Sequence, residues 1–252
     1  MRRRNGSDRS GGVVTDDAYA VLGTDYDAWC HSVTEDIDFY VRLAIESGGP
    51  VLEIGVGSGR IAVPTALAGI TVVGVDRSGP MLDLARSKAR AQGVTLELVR
   101  ADMRELPELG TFPLVTVPFR ALLHLRDDAE RLGVLRSLRA RLEPEGLLAF
   151  DVFHPDRRDI EDTDGRWLER EPGIMERADW HPADHSLTLR VRAGGREAGM
   201  RLWWMEPDGW GRLLVEAGFD RVKRYGGFGG EPLAADAADS VWLARTSGSA
   251  GG

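Results

Sequence analysis

The chain has 252 residues, of which 42% are hydrophobic and 29% charged, with a formal net charge of -8 and one cysteine. This composition is typical of a soluble globular protein, and the length suits one large domain with room for an insertion. The negative charge argues against partners bound through bulk positive charge, so we expect no nucleic-acid partner and no membrane partner. A lone Cys30 excludes an internal disulfide and is typical of the reducing cytoplasm, where we expect the protein to reside.

The two ends of the chain are rich in glycine, serine and charge. Met1-Arg2-Arg3-Arg4 is similar to the start of a signal peptide, but the polar stretch Asn5–Gly12 follows in place of an apolar core. We therefore expect residues 1–15 to be a disordered tail and residues 247–252 a flexible one.

Residues 16–48 are predicted to form a helical cap that precedes the core. Ile37, Val41, Ala44 and Ile45 have the spacing of a buried helix face. The sequence Gly48-Gly49-Pro50 ends this pattern.

Strand and helix patterns alternate through residues 49–155, which we predict to be the core. Apolar segments predict five strands, over residues 51–54, 71–75, 95–99, 114–117 and 147–153. Helices are predicted over about residues 78–92 and 127–142, with Leu142 on the apolar face of the second. Near-continuous apolar strands separated by helices predict a parallel sheet covered on both faces.

The pattern changes after His154-Pro155. The acid-rich residues 156–165 are predicted to be a loop. Leu187, Leu189 and Val191 then alternate with polar residues, and a following Gly-Gly pair favours a hairpin turn. We predict an antiparallel β insertion over residues 156–206. Residues 207–246 are predicted to return to the core as one helix and two closing strands.

The segment Val51–Arg60 is the most informative part of the chain. An apolar strand containing Glu53 runs into a turn with the glycine pattern G-x-G-x-G, and Arg60 stands where a dinucleotide-binding turn has its last glycine. The Glu53 carboxylate would repel a pyrophosphate, whereas it suits a ligand that carries an ammonium and a sulfonium. These features argue against a nicotinamide-dependent oxidoreductase.

Asp76 ends the second predicted strand, 21 residues after Gly55. Ligands of doubly wound sheets bind at the carboxyl ends of the strands, where such an acid can accept hydrogen bonds from both ribose hydroxyls. A plain helix cap is the alternative. Because Ser78 offers a separate cap for the next helix, we favour the ribose role.

Several further segments complete a family pattern. Besides the glycine turn and Asp76, they are Ala101-Asp102-Met103, Tyr26-Asp27-Ala28-Trp29, Pro118–Leu125 and Leu142-Glu143-Pro144-Glu145-Gly146. Together they resemble class I S-adenosylmethionine-dependent methyltransferases that act on small molecules, and the β insertion resembles that of bacterial natural-product N-methyltransferases. The resemblance implies an α/β, Rossmann-like doubly wound sheet of seven mostly parallel strands, with a final antiparallel strand and a small antiparallel β insertion after strand five.

The resemblance also implies S-adenosyl-L-methionine as cofactor, S-adenosyl-L-homocysteine as product, and no metal. It gives Asp102 the adenine amino group and Met103 an amide contact to the ring, while Met81 would pack on the adenine; a polar turn and core packing are the alternatives. The implied cofactor-binding residues are Tyr26, Glu53, Gly55, Gly57, Gly59, Asp76, Met81, Asp102, Met103 and Val117. Arg60 is equally suited to bind a backbone carbonyl or the cofactor carboxylate.

The acceptor site is expected where the N-terminal cap, the turn after strand four and the insertion meet. Aromatic side chains suit a cationic amine as well as an apolar ring, although core packing is the alternative for each of them. The expected substrate-binding residues are Tyr19, Trp29, Arg120, His154 and Trp203. The expected catalytic residues are Tyr26, Phe119 and His124, where His124 is either a general base or a histidine bonded to backbone.

The predicted activity is in-line transfer of a methyl group to an amine nitrogen of a small molecule, driven mainly by proximity and orientation. An antibiotic or other secondary metabolite of aminosugar or lincosamide type is the favoured acceptor. The alternatives are O- or C-methylation of a small molecule and, in another class, a non-catalytic cofactor-binding or scaffold protein. A homo-oligomer is compatible with the sequence.

Overall fold

The structure is a computed structural model that describes residues 17–234 and 237–246, so the tails predicted at both ends lie outside the described residues. The strands are β1 (Val51–Ile54), β2 (Val72–Asp76), β3 (Glu97–Arg100), β4 (Phe112–Val117), β5 (Leu142–Phe153), β6 (Trp167–Glu171), β7 (Ile174–His181), β8 (Ser186–Ala193), β9 (Arg196–Trp203), β10 (Arg221–Tyr225) and β11 (Asp239–Arg245). The α-helices are α1 (Ala18–Leu22), α2 (Asp25–Trp29), α3 (Glu35–Ser47), α4 (Ala62–Leu67), α5 (Gly79–Ala91), α6 (Asp128–Arg139), α7 (Arg157–Thr163) and α8 (Pro207–Glu216).

Seven strands form the main sheet, in the order β10-β11-β5-β4-β1-β2-β3. Strands β5, β4, β1, β2 and β3 are parallel to one another, and β11 is antiparallel to both of its neighbours, β10 and β5. This arrangement confirms the predicted Rossmann-like sheet with a final antiparallel strand. Because β1 lies between β4 and β2, the glycine turn that follows it opens at the middle of the sheet's carboxyl edge.

The two faces of the main sheet are covered by different helices. Phe39, Tyr40 and Leu43 of α3 pack against one face, on residues such as Val51 and Leu114. On the other face, the buried Phe150 of β5 contacts the indole of Trp210 in α8. All four residues of β1 are buried, as expected for a central strand of a sheet covered on both sides.

The insertion forms a separate antiparallel sheet of four strands, in the order β6-β7-β8-β9. The turn between β8 and β9 contains Gly194 and Gly195, both with positive φ angles (55° and 76°), as the hairpin pattern predicts. The edge strand β9 packs against α1 of the N-terminal segment. The insertion is thereby brought to the carboxyl edge of the main sheet.

Three local expectations were wrong. Residues 156–165 are not a loop, because Asp156 and Asp159 form a capping box that begins α7. Leu142 does not belong to the preceding helix; α6 ends at Arg139, and Leu142 starts β5 beside Phe112. Ile45 does not lie on the buried face of the cap, since 55% of its surface is exposed; α3 buries Phe39, Tyr40 and Leu43 instead.

No helix within the described ranges is long and apolar enough to cross a bilayer.

Candidate active site

A cavity of about 300 Å³ lies at the carboxyl ends of the central strands. Its walls come from the turns after β1 to β4, from α1 and α2, and from the edge strand β9. The lining residues are Asp17, Ala18, Tyr19, Tyr26, Ile54, Gly55, Gly57, Val75, Asp76, Arg77, Met81, Ala101, Asp102, Met103, Arg104, Pro118, Phe119, Ala121, His124, Met200, Arg201 and Trp203.

Asp76 ties the glycine turn to the second strand. One of its carboxylate oxygens accepts from the Gly57 amide at 2.9 Å, and the other accepts from the Ser78 amide at 2.8 Å. Each oxygen retains a lone pair for a further donor. Burial raises the pKa of Asp76, and the two amides oppose that rise. The carboxylate is therefore oriented by backbone before any ligand arrives.

The three glycines of the turn have different surroundings. Gly55 and Gly57 line the cavity, with φ angles of 71° and 53°. Gly59 does not line it: its φ is 80°, and a Cβ there would stand 3.1 Å from Val63 and 3.2 Å from Ala85. Gly59 thus permits close packing between the turn and helices α4 and α5.

Glu53 lies behind the turn and outside the cavity lining, with 2% of its surface exposed. Burial raises the pKa of Glu53 to about 8, with Arg60 opposing the rise and Asp36 adding to it. Arg60 donates to the Asp36 carboxylate at 2.8 Å and to the Val33 carbonyl at 3.2 Å. Of the two roles expected for Arg60, the structure therefore has the backbone contact, together with a buried ion pair.

Asp102 lines the cavity beyond β3 and is bound by Arg104. The Arg104 amide donates to the Asp102 carboxylate at 2.9 Å, and its guanidinium contacts both carboxylate oxygens, at 3.0 and 3.2 Å. The same guanidinium donates to the His124 carbonyl at 3.0 Å. Asp102 thus faces the cavity with its charge already partly compensated. Met81 and Met103 line the same region.

Tyr19 and His124 form a hydrogen bond across the cavity. The Tyr19 hydroxyl lies 2.8 Å from Nε2 of His124, which ends a 3-10 helix over Ala121–His124. Burial lowers the pKa of His124 to about 4, and Arg77 and Arg104 add to this effect. His124 is therefore neutral near pH 7 and available as a hydrogen-bond acceptor or donor.

The turn after β4 brings Phe119 to the cavity in an unusual backbone conformation. Phe119 and Arg120 have φ angles of 54° and 63°, which cost about 1–2 kcal/mol for each side-chain-bearing residue. The ring of Phe119 lies under the Arg60 guanidinium, at 4.5 Å from the ring centroid. Tyr26 lines the cavity nearby, and its ring contacts that of Tyr19 edge-on.

The structure places three of the expected substrate-binding residues outside the cavity lining. Trp29 is buried and donates to Glu176 at 2.8 Å, Arg120 donates to Asp239 at 2.7 Å, and His154 is buried beyond the end of β5. Tyr19 and Trp203 do line the cavity. Val117, expected near the cofactor, is fully buried just before the lining residue Pro118.

Sequence reasoning missed several lining residues. Arg77 directly follows Asp76, Arg104 directly follows Met103, and Asp17 lies two residues before Tyr19, so proximity to these predicted residues was an available signal. Met200 and Arg201 are different. They lie on β9, and only the packing of this strand against α1 brings them to the cavity.

No group of three or more His, Cys, Asp or Glu side chains in the described part of the chain is arranged to hold a metal ion.

Comparison with known proteins gives consistent results. Residues 51–146 match the protein family described as "Methyltransferase domain". A putative methyltransferase of Geobacillus sp. (strain WCH70) is 31% identical over 207 residues, covering 77% of this chain and 82% of that protein. The cypemycin N-terminal methyltransferase of Streptomyces sp. is 33% identical over 108 residues, covering 43% of each chain.

Solved structures share the fold over most of the chain. The CcbJ methyltransferase from Streptomyces caelestis has a TM-score of 0.75 at 25% identity, covering 86% of this chain and 98% of that one. The S-adenosylmethionine-bound CalS10, an amino pentose methyltransferase from Micromonospora echinaspora, has a TM-score of 0.63 at 21% identity, covering 94% of this chain and 100% of that one.

Proposed function

The chain belongs to the class I S-adenosylmethionine-dependent methyltransferases of small molecules, and from that premise we propose that it methylates an amine nitrogen of a small secondary metabolite. One observation carries the proposal: the cavity joins a cofactor cradle at the glycine turn to a wall of aromatic side chains and a neutral histidine. We propose a cytoplasmic location, on the composition alone.

The residues around the glycine turn fit the cofactor. The remaining lone pairs of Asp76 suit the two ribose hydroxyls, because its other lone pairs already accept backbone amides. Met81 and Met103 offer apolar contacts for the adenine, and the Asp102 carboxylate would accept from its amino group. Gly55 and Gly57 let the backbone approach the methionine part closely.

When bound, S-adenosylmethionine supplies an activated methyl group, so an amine lone pair forms the new C–N bond as the C–S bond breaks and sulfur takes the electron pair. The protein's task is to align the acceptor and exclude water. We propose that Tyr26 and Phe119 form the wall against the reacting atoms. The Tyr19 hydroxyl and neutral His124 would orient the acceptor amine by hydrogen bonds. The amine would enter as the free base, and the methylated ammonium would give its proton to solvent after it leaves the cavity, because the lowered pKa of His124 makes it a poor proton acceptor.

An amine acceptor is supported by the chemistry of the site and by the names of similar proteins. An amine with a pKa of about 8–9 needs only a small shift to present its lone pair, so no strong base is required and a hydrogen-bond acceptor such as neutral His124 is sufficient. Named relatives and structural neighbours include the cypemycin N-terminal methyltransferase, a sugar N-methyltransferase and a glycopeptide N-methyltransferase. Aminosugar and lincosamide-type amines are therefore the first acceptors to test.

The proposal is tested with isotope-labelled S-adenosylmethionine and matched pairs of small acceptors that differ only in carrying an amine or a hydroxyl. We expect the label on nitrogen, and a rate that falls as pH drops below the pKa of the amine. Label only on hydroxyl or carbon would contradict the amine assignment. Tight binding of S-adenosylhomocysteine without turnover, in extracts of the source as well as with the pairs, would contradict the enzymatic role.

A further inference from the structure

The turn that carries Phe119 contains two consecutive left-handed residues, Phe119 (φ 54°) and Arg120 (φ 63°). Neither is glycine, so the backbone adopts this conformation only because its surroundings enforce it. Phe119 lines the cavity, whereas Arg120 points to Asp239. The position of the Phe119 ring therefore depends on whatever stabilises the turn.

A single buried carboxylate holds both amides of this turn. Asp151, on β5, is 6% exposed; its Oδ1 accepts from the Phe119 amide at 2.8 Å, and its Oδ2 accepts from the Arg120 amide at 3.1 Å. Oδ1 also accepts from the Tyr40 hydroxyl at 2.7 Å. Each oxygen accepts from one amide, and both bonds are strongest when the carboxylate is ionised, because a protonated oxygen is a weaker acceptor.

The ring of Phe119 is also held by contacts that lead to helix α3. Arg60, whose guanidinium lies 4.5 Å from the Phe119 ring centroid, forms its ion pair with Asp36 of α3. Tyr40, also on α3, reaches Asp151. The backbone and the ring of Phe119 are thus both fixed by contacts that lead to α3.

We infer that Asp151 is a positioning residue: its carboxylate holds the Phe119–Arg120 turn and so sets the place of the Phe119 ring beside the acceptor. The inference rests on the proposed function, since a misplaced ring matters to catalysis only if methyl transfer occurs at this wall. Asp151 itself does not line the cavity.

This arrangement implies a pH response. Tyr40 and Asp36 face Asp151 from α3, Arg120 faces it from the turn, and Arg60 lies near Tyr40. Burial raises the pKa of Asp151 to about 6, and the Tyr40 hydrogen bond opposes that rise. Below that pH one oxygen carries a proton and becomes a weaker acceptor for its amide, so the turn should loosen as pH falls.

The test places 4-fluorophenylalanine at position 119 and follows its 19F resonance, which requires no acceptor. In the full chain we expect one narrow resonance at pH 7.5 that changes with a midpoint near pH 6. Asp151→Asn should broaden or shift the resonance at pH 7.5 and abolish this transition. The affinity of Asp151→Asn for S-adenosylhomocysteine, measured by calorimetry, should stay within about 3-fold of that of the unsubstituted chain. Its rate of methyl transfer should fall by about 10- to 100-fold.

A variant that keeps Asp151, Tyr40→Phe, leaves the inference falsifiable if Asp151→Asn does not fold. Tyr40→Phe removes only the hydroxyl, so the midpoint should move to higher pH. Adding Arg120→Gly to Asp151→Asn should restore a narrow resonance because glycine accepts positive φ, whereas Arg120→Ala, the matched control, should not. An unchanged 19F signal in Asp151→Asn, or an unmoved midpoint in Tyr40→Phe, would overturn the inference. Absent methyl transfer in the unsubstituted chain would count against the proposed function alone.

Discussion

The two sides of the cavity are built in different ways. The strand-end wall consists of Gly55, Gly57, Asp76, Ala101 and Asp102. The cap wall consists of Ala18, Tyr19, Met200, Arg201 and Trp203. The strand-end wall is fixed by backbone: parallel strand pairing and the two amides that Asp76 accepts.

The elements that form the cap wall are connected to one another and to the core through side chains. Between the N-terminal helices and the insertion, Arg196 donates to Asp25 at 2.7 Å, and Trp29 donates to Glu176 at 2.8 Å. Tyr19 connects the cap to the core through His124. Such contacts contribute less to stability than a buried sheet and break locally at lower cost. We infer that the strand-end wall keeps its shape without a ligand, whereas the cap wall, which also depends on buried apolar packing between α1 and β9, opens more readily.

The largest expected effect comes from removing the side chain that orders the strand-end wall. Asp76→Ala should weaken S-adenosylhomocysteine binding by about 100-fold, or about 2.7 kcal/mol, because two ribose acceptors and the contact to the glycine turn are lost together. Calorimetry measures this directly. Asp83→Ala, an exposed aspartate on α5, is the matched control and should bind normally. Equal losses in both variants would show that Asp76 has no specific role in ligand binding.

The same contrast explains what the sequence predicts well. The strands of the main sheet are short apolar segments between helices, so their alternation predicts a parallel sheet. Asp76 is singled out because it ends a strand, and Asp102 because of the family resemblance. The prediction placed Glu53 toward the ligand because its position along β1 is near the turn. Which face of the sheet it occupies depends on α3, whose contacts are not local in sequence.

The cap wall is harder to predict because tertiary packing decides it. The hairpin of β8 and β9 was recognised from its alternation and its glycine pair. In β7 the alternation is obscured, since Glu176 faces the cap to accept from Trp29. Likewise, nothing in the sequence around Arg120 or His154 indicates that neighbouring elements turn these side chains away from the cavity.

A second, intermediate effect concerns the carboxylate behind the strand-end wall. The pKa of Glu53 is raised from 4.5 to about 8, so its contribution to stability is complete below pH 4.5 and is lost as pH rises toward 8. Relative to the unsubstituted chain, Glu53→Gln should therefore gain about 2 kcal/mol of unfolding free energy between pH 5 and pH 8. Urea unfolding at both pH values measures this gain.

The exposed Glu97→Gln on β3 is the control for Glu53→Gln and should show no such gain. If Glu53→Gln instead binds S-adenosylmethionine and S-adenosylhomocysteine more weakly and gains no stability, the carboxylate is ionised and acts on the ligand. In that case Glu53 belongs to the strand-end wall, although it does not line the cavity.

The smallest expected effect is at the cap wall. A double-mutant cycle on Asp25→Ala and Arg196→Ala should give a coupling energy of less than about 1 kcal/mol, because this ion pair is partly exposed and screened by salt. The coupling, measured by urea unfolding, should shrink further at high ionic strength. Affinity for S-adenosylhomocysteine should change by less than about 2-fold, since neither side chain lines the cavity. A coupling above about 2 kcal/mol would mean that the cap is fixed as firmly as the strand ends. Ligand exchange would then require a larger rearrangement than the opening of half-exposed side-chain contacts.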